Sequence, residues 1–165
     1  MIYTTFSKAK EAGACEVSYR KFAKYKGIKK TGKDNPIPLI EILDVCGLED
    51  TLWAIANCAT EPEKAKRLSK LFACDCADHV VHIYEKQYSE DNRPRNAIEV
   101  SRKYIDGRAT ETERAASWDA SRAASLAASR AASSAASWAA RAASWDAERE
   151  WQTQRLKELL EGGVK

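Results

Sequence analysis

The sequence predicts an all-α protein: a helical bundle of short helices plus one long Ala-rich C-terminal helix. Three observations predict it. From Ala115 to Ala147 the chain is written almost wholly in Ala, Ser, Arg and Trp in four-residue steps, and Ala is the strongest helix former. Two Thr-x-x-Glu capping boxes, Thr60–Glu63 and Thr110–Glu113, mark helix starts. No stretch shows the apolar–polar alternation of a half-buried strand.

The elements follow in order. Two short helices open the chain, near residues 5–12 and 16–25, closed by Gly13 and Gly27. The segment KGIKKTGKDNP reads as a loop because Gly, Asn and Pro cluster in it. Pro36 and Pro38 fit the first turn of a third helix, IPLIEILDVC, which stops at Gly47. A fourth helix, within GLEDTLWAIANC, carries Leu48, Leu52, Ile55 and Ala56 on one stripe. The Thr60 box with Pro62 starts a fifth, running to about Tyr88 and burying Leu68, Leu71, Phe72, Ala73, Val80, Ile83 and Tyr84. Asp91-Asn92-Arg93-Pro94 breaks the chain and launches a sixth, Arg95 to Ile105, ended by Asp106-Gly107.

After Thr110 no Pro or Gly occurs until Gly162. One helix of about 50 residues is therefore possible, about 75 Å long. A four-residue repeat drifts about 40° per step on a helix. Trp118, Arg122, Leu126, Arg130, Ser134 and Trp138 thus spiral around the surface rather than forming one coiled-coil seam. The register slips by one residue at Arg141–Trp145, and Leu156, Leu159 and Leu160 follow. The expectation is packing from Trp138 onward and exposure before it. Two domains are expected: residues 1–109, and 110–165 as a long helix packed on the first or projecting from it.

Length and charge bound the function. No apolar run approaches the roughly 18 residues that span a bilayer, and the N-terminus lacks the hydrophobic stretch of a signal peptide. No membrane association and a cytoplasmic location are expected, in a bacterial cell or, for a phage gene, its host. Five irregularly spaced cysteines read as reduced thiols. Residues 1–34 carry nine Lys/Arg against three acids, a net of +6, within a chain whose total is +3. That basic head is either the wet face of a short helix or a surface for an anionic partner such as nucleic acid.

No Gly-rich phosphate loop, G-x-S-x-G or zinc-ribbon spacing is present, so no enzyme and no cofactor are expected. The cluster Cys74-Asp75-Cys76-Ala77-Asp78-His79-Val80-Val81-His82 is the nearest to a metal site. On a helix its Cys76, His79 and His82 fan across about 120°, without the i, i+4 pair that one zinc prefers, so no metal is expected. In Asp91-Asn92-Arg93-Pro94-Arg95, two guanidiniums flank a proline at a helix start. They form either a clasp with Asp75, Asp78 and Glu85 or an anion site. Trp118, Arg122, Arg130 and Trp138 are the candidate partner-binding residues, since Trp and Arg dominate interface hot spots.

Two stretches carry a resemblance: GLEDTLWAIANC, and RLSKLFACDCADHVVHIYEKQYSEDNRPRNAIEVSRKYIDG. Together they resemble the helical immunity-five-like family of bacteria and phages, over about residues 14–109, with the tail similar in style. Asp50, Trp53, Cys74, Asp78, Arg93, Pro94, Arg95 and Glu99 carry the signature. The repetitive Trp- and Arg-bearing tract departs from it. The resemblance implies a helical protein that neutralises a partner by binding, either a toxin or a host defence protein. Two other classes stay open: an oligomeric sponge for a nucleotide immune signal, and nucleic-acid binding through the basic head. A homo-oligomer through the long helix fits all three.

Overall fold

The computed structural model describes residues 1–27, 34–131 and 136–162, with side chains throughout these except at 121 and 123–145. Eight helices are present among the described residues: α1 (Phe6–Glu11), α2 (Glu16–Lys26), α3 (Leu39–Cys46), α4 (Leu48–Asn57), α5 (Pro62–Gln87), α6 (Arg93–Ile105), α7 (Glu111–Ala131) and α8 (Ala136–Gly162). The fold is all-α with one small exception. Strands β1 (Tyr3–Thr4) and β2 (Ile37–Pro38) pair antiparallel, Tyr3 opposite Pro38 and Thr4 opposite Ile37.

That pairing corrects two expectations. Two-residue strands are too short to show alternation, and long-range contacts hold them. The Thr4 hydroxyl donates to the Cys58 carbonyl (2.7 Å), and the Leu39 N–H donates to Ile2 (3.0 Å). Pro38 therefore lies outside the third helix as its N-cap, extended at φ −61° and ψ 132°. Thr60 is the second correction. Its N–H and hydroxyl both donate to the Tyr3 carbonyl (2.8 and 3.1 Å), tying down β1, while the Glu61 carbonyl accepts from Ala65 at the start of α5. The Thr110 box forms as expected: its hydroxyl accepts the Glu113 N–H (3.2 Å) and Glu113 accepts the Thr110 N–H (2.7 Å). Gly47, at φ 93°, closes α3 and opens α4 with a backbone that L side chains rarely adopt.

The chain divides into two compact units, Met1–Ser69 with Arg149–Lys165, and Lys70–Glu148. Residues 109 and 110 both lie in the second. In the first unit Phe6, Phe22 and Ile37 form a core cluster, with Tyr19 edge-on to Phe6 at 5.3 Å. Leu39, Leu43, Leu48, Ile55 and Leu68 are buried with them, as are Leu156 and Leu160 from the end of α8. Each such side chain contributes about 2 kcal/mol of transfer free energy. Arg149 reaches Glu49 (2.8 Å) and Lys157 reaches Asp44 (3.1 Å), so charged pairs flank the leucines of α8.

Among the described side chains of the second unit, the buried apolar ones are Phe72, Cys74, Val81 and Ala97. Val80 is 37% exposed and Ile83 62% exposed, against the expected burial of both. Periodicity marks the apolar side of a helix but not how much of its length a neighbour covers. α8 is helical through Arg141–Trp145. Helix continuity at 132–135, on which the single 50-residue helix depends, lies outside the described residues.

Candidate binding surface

The second unit is fastened by arginines. Arg95, near the start of α6, donates twice to Glu85 of α5, Nε to Oε1 (2.5 Å) and Nη2 to Oε2 (2.8 Å). Its Nη1 reaches Asp78 at 3.2 Å. Two turns on, Arg102 donates to the nearly buried Asp75 (2.8 Å) and lies 3.6 Å from Asp78. The pairing moves back along α5 as it advances along α6, as an antiparallel helix hairpin requires. Glu85 is held below the usual carboxylate range, chiefly by the Arg95 hydrogen bond. Arg93 faces away from this ladder, onto Asp91 (2.7 and 2.8 Å), whose carboxylate also accepts from the Tyr84 hydroxyl (2.7 Å). Those bonds, Arg93 first, hold Asp91 well below the ordinary range. Glu99 is exposed on α6, outside the ladder.

Beside the ladder lies a cleft of about 560 Å³, formed by α5, α6 and the first two turns of α7. Ala77, Val80, Val81 and Ile98 line it, with the rings of Tyr84, Tyr104 and Trp118. At one end, Lys70 and Arg114 both approach the Tyr104 ring, 4.6 and 5.5 Å from its centroid. Arg114 also pairs with Glu111. That hydrogen bond first, and one from the Tyr104 hydroxyl second, pull the Glu111 carboxyl down to about 2. The sequence reading missed Lys70, Tyr104 and Arg102. The seven-residue step from Arg95 to Arg102, matched by Asp78 to Glu85, was the available signal, since it puts each pair on one helix face.

Of the candidate partner-binding residues, Trp118 is 58% exposed on α7 at the mouth of the cleft, and Arg122 is exposed one turn further on. Arg130 lies on α7 and Trp138 on α8, and their side chains fall outside the described residues. The Cys–His cluster takes a different form from a metal site. Cys74 is buried and its thiol is pushed up by desolvation; burial, then Glu148, pushes Cys76 to about 11. His79 lies 3.3 Å from Glu148, and His82 contacts the His79 carbonyl at 2.9 Å. Among the described residues no group of three or more His, Cys, Asp or Glu side chains is placed to hold a metal ion. Nor is any described helix long and apolar enough to cross a membrane.

Neither a curated protein nor a solved structure matches the chain. A family model does, over residues 60–146, and it is described as Imm-5 like putative immunity protein. The matched span carries Cys74, Asp78, Arg93, Pro94, Arg95 and Glu99, while Asp50 and Trp53 precede it. It also nearly coincides with the second unit, Lys70–Glu148. The arginine ladder and the cleft are thus features of the matched segment, and the chain belongs to the Imm-5 like family.

Proposed function

We propose that this chain is a non-enzymatic helical binding protein that neutralises a protein partner by occluding it. The partner is a toxin or, where the gene is carried by a phage, a component of bacterial defence, met in the cytoplasm. One observation carries the reading: the segment matched by the family model leaves Trp118 exposed beside an open cleft. An indole with half its surface in water, next to an arginine on the following turn, is a hot-spot pair awaiting a partner. Arg130 and Trp138 extend that contact along α7 and α8, and a second copy of the chain pairs through the same Ala-rich helices. Arg93, Arg95 and Asp78 serve structure in this reading, since their charges are spent on one another and on Asp91 and Glu85.

The test is protection of cells from the toxin encoded beside the gene. Replacing Trp118, Arg122 and Arg130 together with Ala should leave helicity by circular dichroism intact and abolish protection. Loss of helicity, or retained protection by a well-folded triple variant, contradicts the proposal.

A further inference from the structure

The cleft of the second unit has a chemistry that contact between protein surfaces does not require. At about 560 Å³ it has the size of a small-molecule site. Its walls are apolar, and three aromatic rings, Tyr84, Tyr104 and Trp118, stand around it. Three acidic or basic side chains line it: Lys70, Glu111 and Arg114. Two of them cancel, because Arg114 is paired with Glu111. Lys70 is left over. Its ammonium lies over the Tyr104 ring and has no carboxylate within 4.0 Å among the described residues.

We infer that this cleft binds an aromatic monoanion, its flat body among Tyr84, Tyr104 and Trp118 and its single carboxylate or sulfonate at Lys70. The site goes beyond the protein-neutralising role and needs no partner in order to form. One uncompensated ammonium matches one negative charge, so the two phosphates of a dinucleotide would leave a charge unpaired against apolar walls. A cationic ligand would meet Lys70 and Arg114 at the same end. A neutral aromatic would fit the rings and leave the ammonium as it is.

Two fluorescent probes with the same aromatic body separate these cases. Anilinonaphthalene sulfonate carries the anion and N-phenylnaphthylamine does not. The intact protein should bind one equivalent of the sulfonate about tenfold more tightly than the neutral probe, the scale of a partly screened charge pair. Lys70→Met should erase that preference and leave the neutral probe's affinity unchanged, and Lys70→Arg should keep the preference. Trp118→Ala should weaken both probes, and Lys86→Ala, an exposed residue outside the cleft, neither. Equal affinities in the unaltered protein overturn the proposal, as do non-saturating binding of several equivalents and an unchanged ratio in a well-folded Lys70→Met variant.

Discussion

The two units of this molecule are both helical, yet different forces hold them. The first buries many large side chains, among them Ile2, Phe6, Phe22, Leu39, Leu68, Leu156 and Leu160. Among its described side chains the second buries Phe72, Cys74, Val81 and Ala97, and it is laced by Arg95 and Arg102 on Asp75, Asp78 and Glu85. Burial is non-directional and grows with area, so it closes a structure up. Guanidinium–carboxylate pairs are directional and fix two helices at a chosen spacing without filling the space beside them. The difference explains how α5, α6 and α7 keep an apolar cleft open, and why the rim carries Val80 and Trp118 in water. The family match falls on the laced unit and omits nearly all of the packed one.

The contrast can be broken most severely at a leucine. Leu156 is 0% exposed, and Leu156→Ala should cost about 3 kcal/mol of unfolding free energy in a denaturant titration, from lost transfer energy and the cavity left behind. A loss under about 1 kcal/mol would mean that the end of α8 is not part of the core. The ladder should yield less. Arg102→Ala strips a guanidinium from Asp75, which is 9% exposed, and should cost about 2 kcal/mol. Arg102→Lys should recover part of this, since a point charge cannot hold Asp75 and Asp78 as a planar fork does. A neutral Arg102→Ala would remove the ladder from the account.

The smallest effect is a pH dependence, and its sign follows from Glu111. The folded carboxyl sits at about 2 against an ordinary value of 4.5, so the unfolded chain takes up its proton first on acidification. The stabilisation is present above the ordinary value and is lost as pH falls from there toward the folded one. Glu85 shifts in the same direction through Arg95. Both side chains are solvent-accessible, so the effect should be modest. Denaturant midpoints taken at about pH 5 and about pH 2 should differ less in Glu111→Gln than in the unaltered protein. An equal difference in both would assign the acid sensitivity to other groups.

Much of the fold was legible because its punctuation is local. Thr5, Gly27, Gly47 and Thr110 each act within one turn of the backbone, and each stops or starts the helix expected of it. What escaped was set by distant partners. Thr60 is a good N-cap residue whose hydroxyl is instead claimed by Tyr3, far back in the chain. Val80 and Ile83 have the right spacing for burial, yet Val80 stays 37% and Ile83 62% exposed. In the site, Arg95 and its acids could be guessed from a proline-led helix start. Lys70, Tyr104 and Arg114 could not, because their juxtaposition exists only once α5, α6 and α7 have packed.

Amide hydrogen exchange tests the division of labour most directly, since it reads local opening helix by helix. The account predicts that α3 and α4 of the packed unit exchange only through global unfolding. The amides of α6 and the first turns of α7 should exchange faster, through opening that Arg102→Ala accelerates. Protection of α6 equal to that of α3, unmoved by Arg102→Ala, would contradict it.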